Sequence, residues 1–432
     1  MTVGFTHSST PPLWESLTRG PAAEKFALYL FLFTCINAAF LWPDVTLVLG
    51  ERSKLFTGLL CTLSLLATVL LVKQPSRFGS WPELTVSVVL LTLAIISGIL
   101  SSTPKSSLYR GLVVMGSGLG GFWCARALVQ CSARQEFFKW FCVILLAAIL
   151  CLSLLGYVIC GSVEALLDDN PHPLACRILL LAFAPVALIL TRDRPAMILG
   201  GLMLCLCYWV FYLSSLRSAT LIPLVLGIVA VWTGLLRLKY FLLLLIPLVL
   251  IIACFFHTLP SVKIGPEYEP AYYRAENYPF SWHIAGKHPF FGIGLRAPRD
   301  EYIKDYEIKY PFATKEKFEE SLNRIVSSEN TFLSFMVDLG FPFLIIYCLG
   351  VSVLCIRLVR MVKNPRPGIP LPPLALLLSI VAGLLHFQVL DGLLHPQVSW
   401  FFHILLGLIP VPPGEVAGAQ TSVPINSSVQ SI

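Results

Sequence analysis

The amino-acid sequence predicts an all-α integral membrane protein of about twelve transmembrane helices with one long extramembrane loop. Three observations carry this. The 432 residues are 56% hydrophobic and only 13% charged, with a mean hydropathy of +0.78, a balance foreign to water-soluble globular domains. Apolar runs long enough to cross a hydrocarbon core of roughly 30 Å, which takes about 20 helical residues, recur between short polar breaks. Those runs do not alternate polar and apolar residues, as the strands of a membrane barrel must.

Taken in order, the spans fall near 26–42, 55–72, 84–101, 109–129, 138–160, 174–190, 196–214, 217–236, 240–257, 331–356, 371–387 and 397–412. The opening residues, MTVGFTHSSTPPLWESLTRG, lack the basic start, short apolar stretch and cleavage site of a signal peptide. The first span is therefore expected to insert uncleaved, with no soluble domain ahead of it. Four regions follow: a nine-span block over 1–257, a long loop over 258–329, a three-span block over 330–413 and a disordered tail over 414–432. The tail is rich in small polar residues and carries one charge, Glu415. No internal repeat of the kind seen in many secondary transporters is visible.

Orientation follows from the Lys and Arg of the short loops. With the N-terminus inside, inner segments hold fifteen, among them Arg19, Lys25, Arg126, Arg134, Arg357 and Arg360, while outer short segments hold six. Both termini are then cytoplasmic and the long loop lies outside. Topology thus accounts for the net charge of +7, and no nucleic-acid partner is implied. Most of the 13 Cys lie inside spans and the long loop has none, which argues against a disulfide framework, although Cys160 and Cys176 flank one outer loop as a possible pair. No Cys or His spacing resembles a structural metal site. Gly116 and Gly120 in GSGLGG stand at the spacing of close helix packing.

The long loop is rich in aromatic residues, including Tyr272, Tyr273, Tyr278, Trp282, Tyr302 and Tyr306, among charges of both signs. Two readings fit that mixture: short amphipathic helices anchored at the membrane surface, or a sugar-binding surface of aromatic faces beside hydrogen-bonding groups.

Ionisable groups at membrane depth are costly and so mark candidate function. Arg217, in SSLRSATL, opens a span from outside, either as an anchor or as a fork for phosphate or carboxylate. Arg274, in AYYRAENYPFSW, has no evident anchoring task, and Arg177 is a weaker candidate. Glu329, in SSENTFL, precedes an apolar run. It suits either the positive end of a helix dipole or a general base. Asp338 follows nine residues on, roughly 13 Å deeper along a helix, where pairing with a buried Arg is expected more than catalysis. In KHPFFGIG the Pro and two Gly mark a sharp turn, and His288 reads as a hydrogen-bonding loop residue or a catalytic one.

As a set, these pieces resemble the O-antigen ligase and polymerase superfamily. The matching residues are Arg217 in LRSA, Arg274, Trp282 to Ala285 (WHIA), His288 to Gly294 (HPFFGIG), Asn330 to Leu333 (NTFL) and Asp338 to Gly340 (DLG). The match covers roughly residues 200–410 in motif order. One departure matters: Glu329 stands where ligases of this family carry the His regarded as catalytic base, and Asp338 where they carry Glu.

The resemblance implies a GT-C-like glycosyltransferase of the bacterial inner membrane. It would act on the periplasmic face without metal or other cofactor, moving a glycan from an undecaprenyl diphosphate carrier to a hydroxyl acceptor. The acceptor would be a lipid A core or a second lipid-linked glycan. Arg217, Arg274 and Arg296 are the expected pyrophosphate ligands, with Arg299 a further possibility, and Glu329 the expected base. Asn330, Asp338, His288 and Trp282 are expected to support them. Acidic residues of the loop slightly outnumber basic ones, which favours a polymerase, or a ligase with an acceptor other than a phosphorylated core. The alternatives are a transporter or flippase of lipid-linked sugars and a non-catalytic scaffold of an envelope glycan complex.

Overall fold

A computed structural model describes residues 21–40, 52–72, 78, 80–167, 171–191, 193–214, 217–232, 234, 269–299, 302, 304–306, 329–364 and 371–410. Among them the chain is helical, with no strand. In chain order the helices are α1 (Ala22–Ala39), α2 (Arg52–Leu71), α3 (Trp81–Leu100), α4 (Pro104–Leu128), α5 (Ser132–Cys160), α6 (Pro171–Leu181), α7 (Phe183–Leu190), α8 (Arg194–Leu213), α9 (Arg217–Trp232), α10 (Glu269–Lys287), α11 (Thr331–Lys363), α12 (Pro373–His386) and α13 (Pro396–Gly407).

Seven of these, with α6 and α7 counted as one, are long and apolar enough to cross a membrane; α2, α9 and α12 contain shorter apolar helices. Outward faces are apolar as lipid demands, with Leu70, Ile144 and Val158 each more than two-thirds exposed. Eleven of the twelve expected spans coincide with helices, and the ninth, 240–257, lies outside the described residues together with the expected tail over 414–432. The sixth span is broken at Ala182. Pro185 brings no N–H to the turn before it, so the helix restarts there.

Two expectations change. The loop over 258–329 holds a 19-residue helix, α10, longer than the short surface helices expected there. Beyond α12, the chain does not leave the bundle as a simple loop. Phe387, Asp391, Leu393 and Leu394 are buried, and a 3-10 turn spans Gly392–Leu394. Irregular backbone is tolerated at such a place because protein, not lipid, surrounds it.

Helix α4 packs closely against both α2 and α13 at the centre. A Cβ on Gly116 would lie 2.4 Å from Thr62 Oγ1, and one on Gly120 would lie 2.9 Å from the Cys61 carbonyl. Only glycine permits this approach. Cys160 and Cys176 are both free thiols, one exposed at the end of α5 and one buried in α6, so the possible pair is not formed. Arg177 is fully buried and donates to the carbonyl of Ala39 (2.8 Å), satisfying the open end of α1. At the opposite end of the bundle, Glu83 accepts from Arg126 (2.7 Å) and Arg357 (3.0 Å) through one oxygen.

Candidate functional site

The site is built around a break in α11. Gly340 leaves the helical region (φ 86°, ψ 168°), and Pro342, two residues on, has no N–H. In an unbroken helix the carbonyls of Val337 and Asp338 would accept from residues 341 and 342. Here Phe341 N–H turns away and donates to Pro289 O (2.9 Å). The two freed carbonyls accept instead from the HPFFGIG turn: Ile293 N–H to Val337 O (3.0 Å) and Gly294 N–H to Asp338 O (2.9 Å). Ser97 of α3 adds a bond to Asp338 O at 2.7 Å. The two freed carbonyls and the Phe341 N–H are thereby re-paired.

The close seam explains its glycines. Gly292 is left-handed (φ 63°), and a Cβ there would fall 2.4 Å from the Asp338 carbonyl carbon. Gly340 is also left-handed (φ 86°), and a Cβ there would fall 2.4 Å from Phe290 O. Beneath the turn, Phe280, Ile284, Ile293, Ala297 and Val337 form a small apolar core flanked by Tyr302 and Tyr306, which fixes α10 to α11.

Asp338 is fully buried. Its Oδ1 accepts from Arg299 Nη2 (3.1 Å) and its Oδ2 from the Arg296 backbone N–H (3.2 Å). Arg299 is 2% exposed on its side chain, so this is the buried arginine pairing expected for Asp338. Arg296 itself is left-handed (φ 52°), and its carbonyl accepts from Arg110 Nη1 of α4 (3.1 Å). The carboxylate thus ties the residues after the turn to the helix break.

At the head of α11, Asn330 caps the helix by accepting from the N–H groups of Phe332 (3.0 Å) and Leu333 (3.2 Å). Its Nδ2 donates toward Tyr278 Oη (3.4 Å) and to Gln388 Oε1 (3.1 Å). Thr331 donates from its backbone N–H to Phe387 O (2.9 Å) and from its hydroxyl to Leu390 O (2.9 Å). Ser334 donates to Asp391 Oδ1 at 2.7 Å. Three parts of the chain distant in sequence, α10, the head of α11 and the buried segment after α12, therefore meet at Asn330. Glu329 stands at this junction, half-buried and left-handed at φ 49°. A bulky side chain in that region of backbone space is strained by roughly 1–3 kcal/mol and persists only where its surroundings impose it.

The remaining expected site residues are placed as follows. Arg274 stands one turn before Tyr278 on α10, and Arg217 opens α9; their side chains lie outside the described residues. His288 is exposed, with its Nε2 2.8 Å from Tyr302 Oη. Trp282 is 56% exposed, its ring 5.8 Å from that of Phe341. Beside them Lys287 pairs with Asp305 (2.9 Å), and this hydrogen bond and charge hold the Asp305 carboxyl below its ordinary range. Among the described residues no group of three or more His, Cys, Asp or Glu is arranged to hold a metal.

Residues 178–348 match the family model described as O-Antigen ligase. Across that segment the chain is similar to the O-antigen ligase family. The family segment runs from α6 to the middle of α11, and so contains Arg217, Arg274, the turn, Asn330 and the break at Gly340. No curated protein matches the chain. Four participants escaped the sequence reading: Tyr278, Gln388, Arg110 and Asp391. Asp391 carried a usable signal, a carboxylate inside an apolar stretch, which is the same rule that singled out Asp338. It lies beyond the family segment.

Proposed function

We propose that the protein is a membrane glycosyltransferase of the bacterial inner membrane. It transfers a glycan from an undecaprenyl diphosphate carrier to a hydroxyl acceptor on the periplasmic face, with both termini cytoplasmic. The family match supports a ligase- or polymerase-type activity. The observation that carries the reading further is the left-handed backbone of Glu329 at the point where α10, α11 and the buried segment after α12 converge. A strained ionisable residue at such a junction is more consistent with a reacting group than with a simple helix-end charge, which an unstrained residue would supply.

In the proposed reaction, Glu329 takes the proton of the acceptor hydroxyl as its oxygen attacks the anomeric carbon. The bond from that carbon to the carrier diphosphate breaks, and its electron pair leaves with the diphosphate. Arg217 and Arg274 hold the diphosphate and stabilise the charge that grows on it. Arg296, whose backbone is held by Asp338 and Arg110, is a third candidate ligand. Asp338 and Arg299 position the turn without touching substrate. Asn330 fixes the helix head beside the base, while Trp282 and the His288–Tyr302 pair offer aromatic and hydrogen-bonding surface to sugar. The acceptor is a second lipid-linked glycan or a lipid A core, the acidic loop favouring the former.

Complementation of a deletion strain tests this, with envelope glycan read on a gel at matched membrane expression. Glu329→Gln and Arg274→Ala are expected to abolish the long glycan, while Glu329→His, which restores a base, retains part of it. Wild-type glycan from Glu329→Gln would defeat the assignment and move a scaffold or transporter role ahead.

A further inference from the structure

Asn330 heads a chain of hydrogen bonds whose direction the helix cap decides. Its Oδ1 accepts from the N–H groups of Phe332 and Leu333, so the other branch of the amide is the NH2 group. Turned the other way, the amide would set its own donors against two backbone donors and lose the cap. The Nδ2 branch meets Gln388, 3.1 Å from its Oε1 and 3.2 Å from its carbonyl. A donor on this side requires an acceptor opposite, so Gln388 faces Asn330 with its oxygen and turns its Nε2 away. Tyr278 closes the arrangement, its hydroxyl donating to the Gln388 carbonyl at 3.0 Å.

Polarity therefore runs outward from the head of α11. Backbone donors orient Asn330, Asn330 orients Gln388, and Gln388 ends the chain with an NH2 group. Gln388 is exposed, and its Nε2 donates to no group among the described residues. The backbone that carries it is fixed on both sides, since the carbonyls of Phe387 and Leu390 accept from Thr331. An ordinary surface glutamine rotates its amide to offer either a donor or an acceptor. This one offers donors alone, in a set direction, beside the residue that follows Glu329. Gln388 lies beyond the family segment.

We infer that Gln388 binds the acceptor glycan, its Nε2 donating to a sugar oxygen, either a hydroxyl or an acetamido carbonyl, close to the hydroxyl that attacks. This rests on the proposed transferase reaction, in which the acceptor hydroxyl lies at Glu329. A donor already oriented by the protein loses little freedom on binding. It also selects, because a deoxy position in the acceptor would leave it unmet. Trp282, one turn beyond Tyr278 on α10 and 56% exposed, offers an aromatic face to the apolar side of the same sugar.

The test uses the full chain in nanodiscs, with carrier-linked glycan and lipid A core extracted from the deletion strain, and reads kcat and acceptor KM from product on a gel. Gln388→Glu keeps an oxygen toward Asn330 and replaces the NH2 group by a second acceptor; Gln388→Met keeps the length and removes both. If Nε2 binds the acceptor, Gln388→Glu should raise KM about tenfold and Gln388→Met about fivefold, with kcat within about twofold of wild type. The unfolding midpoint of Gln388→Glu should stay at the wild-type value, because its bond from Asn330 is retained. A glutamine that serves only to accept from Asn330 gives the opposite order, with Gln388→Glu like wild type and Gln388→Met impaired in midpoint and kcat, and that result would overturn the inference. So would a change confined to kcat and its pH profile, the mark of a new charge acting on Glu329. No product from wild type would defeat the transferase reading and this inference with it, whereas wild-type product beside an unaltered KM in Gln388→Glu would defeat this inference alone.

Discussion

Removing the carboxylate of Asp338 tests whether it positions the turn or takes part in the chemistry. Asp338→Ala deletes the acceptor of Arg299 Nη2 and of the Arg296 N–H, both in a place sealed from water. Removing one partner of a buried ion pair costs about 3–5 kcal/mol, because the other charge stays desolvated. The backbone N–H left without its acceptor lies within that figure or adds about 1 kcal/mol. Replacing both members, as Asp338→Ala with Arg299→Met, removes the stranded charge as well. The double variant should therefore lose less than the sum of the single losses, by about 1–3 kcal/mol. Equilibrium unfolding in mixed micelles measures the cycle, and glycan formation by the same four proteins gives the second readout. If Asp338 acts by position, the double variant regains part of the activity lost in Asp338→Ala. Additive stability losses, or an inactive double variant as stable as wild type, would refute the positioning role and place the carboxylate among the reacting groups.

Three further predictions follow from the same geometry. Gly340→Ala meets both a left-handed backbone and Phe290 O at 2.4 Å. It should lower the unfolding midpoint and expose the turn to proteolysis, whereas Gly201→Ala, where nothing lies within 4 Å, should be neutral or mildly stabilising in the same assay. Glu329→Gly and Glu329→Ala should both be inactive, yet the Gly variant should be the more stable by about 1 kcal/mol, since only Ala pays for φ near 49°. For Asp305, the folded-state carboxyl titrates below its ordinary value because of Lys287. Its contribution to stability is therefore present above the unfolded value and is lost as pH falls through the folded one. Lys287→Gln should raise the Asp305 titration midpoint toward the ordinary value, as followed by carboxyl NMR.

The all-helical class and the helices under eleven of the twelve expected spans were legible, seven of them long and apolar enough to cross a membrane, because hydropathy acts locally and every spanning backbone must satisfy itself within its own helix. What escaped was set by distant contacts. The segment after α12 reads in sequence as a loop between two spans, and only its bonds to Thr331 and Ser334 make it an interior element. Asp338 and its arginine partner were anticipated from cost alone, since a carboxylate in an apolar helix requires a counter-charge. The partner's identity, Arg299 and not Arg274 or Arg217, depends on the path of the turn, which no local pattern encodes. Tyr278 looked like one aromatic residue among many, and its hydroxyl acquires meaning only beside Gln388 and Asn330.

The two short motifs at the centre of the site can be understood as one device. Gly340 and Pro342 in α11 remove two helical hydrogen bonds, which by itself is destabilising and would leave two carbonyls open inside the membrane-spanning bundle. The turn from His288 to Gly294 is destabilising in its own way, because it needs left-handed backbone and brings chain within van der Waals distance of a helix. Each supplies what the other lacks: the helix presents acceptors, and the turn presents Ile293 and Gly294 N–H groups together with a carbonyl for Phe341. Neither arrangement is stable without its partner, so the loop carrying Arg296 is held in register with the helix that begins at Asn330, one residue after Glu329. A break that would be a defect in an isolated membrane helix is here what joins the proposed phosphate-binding side of the site to its proposed base.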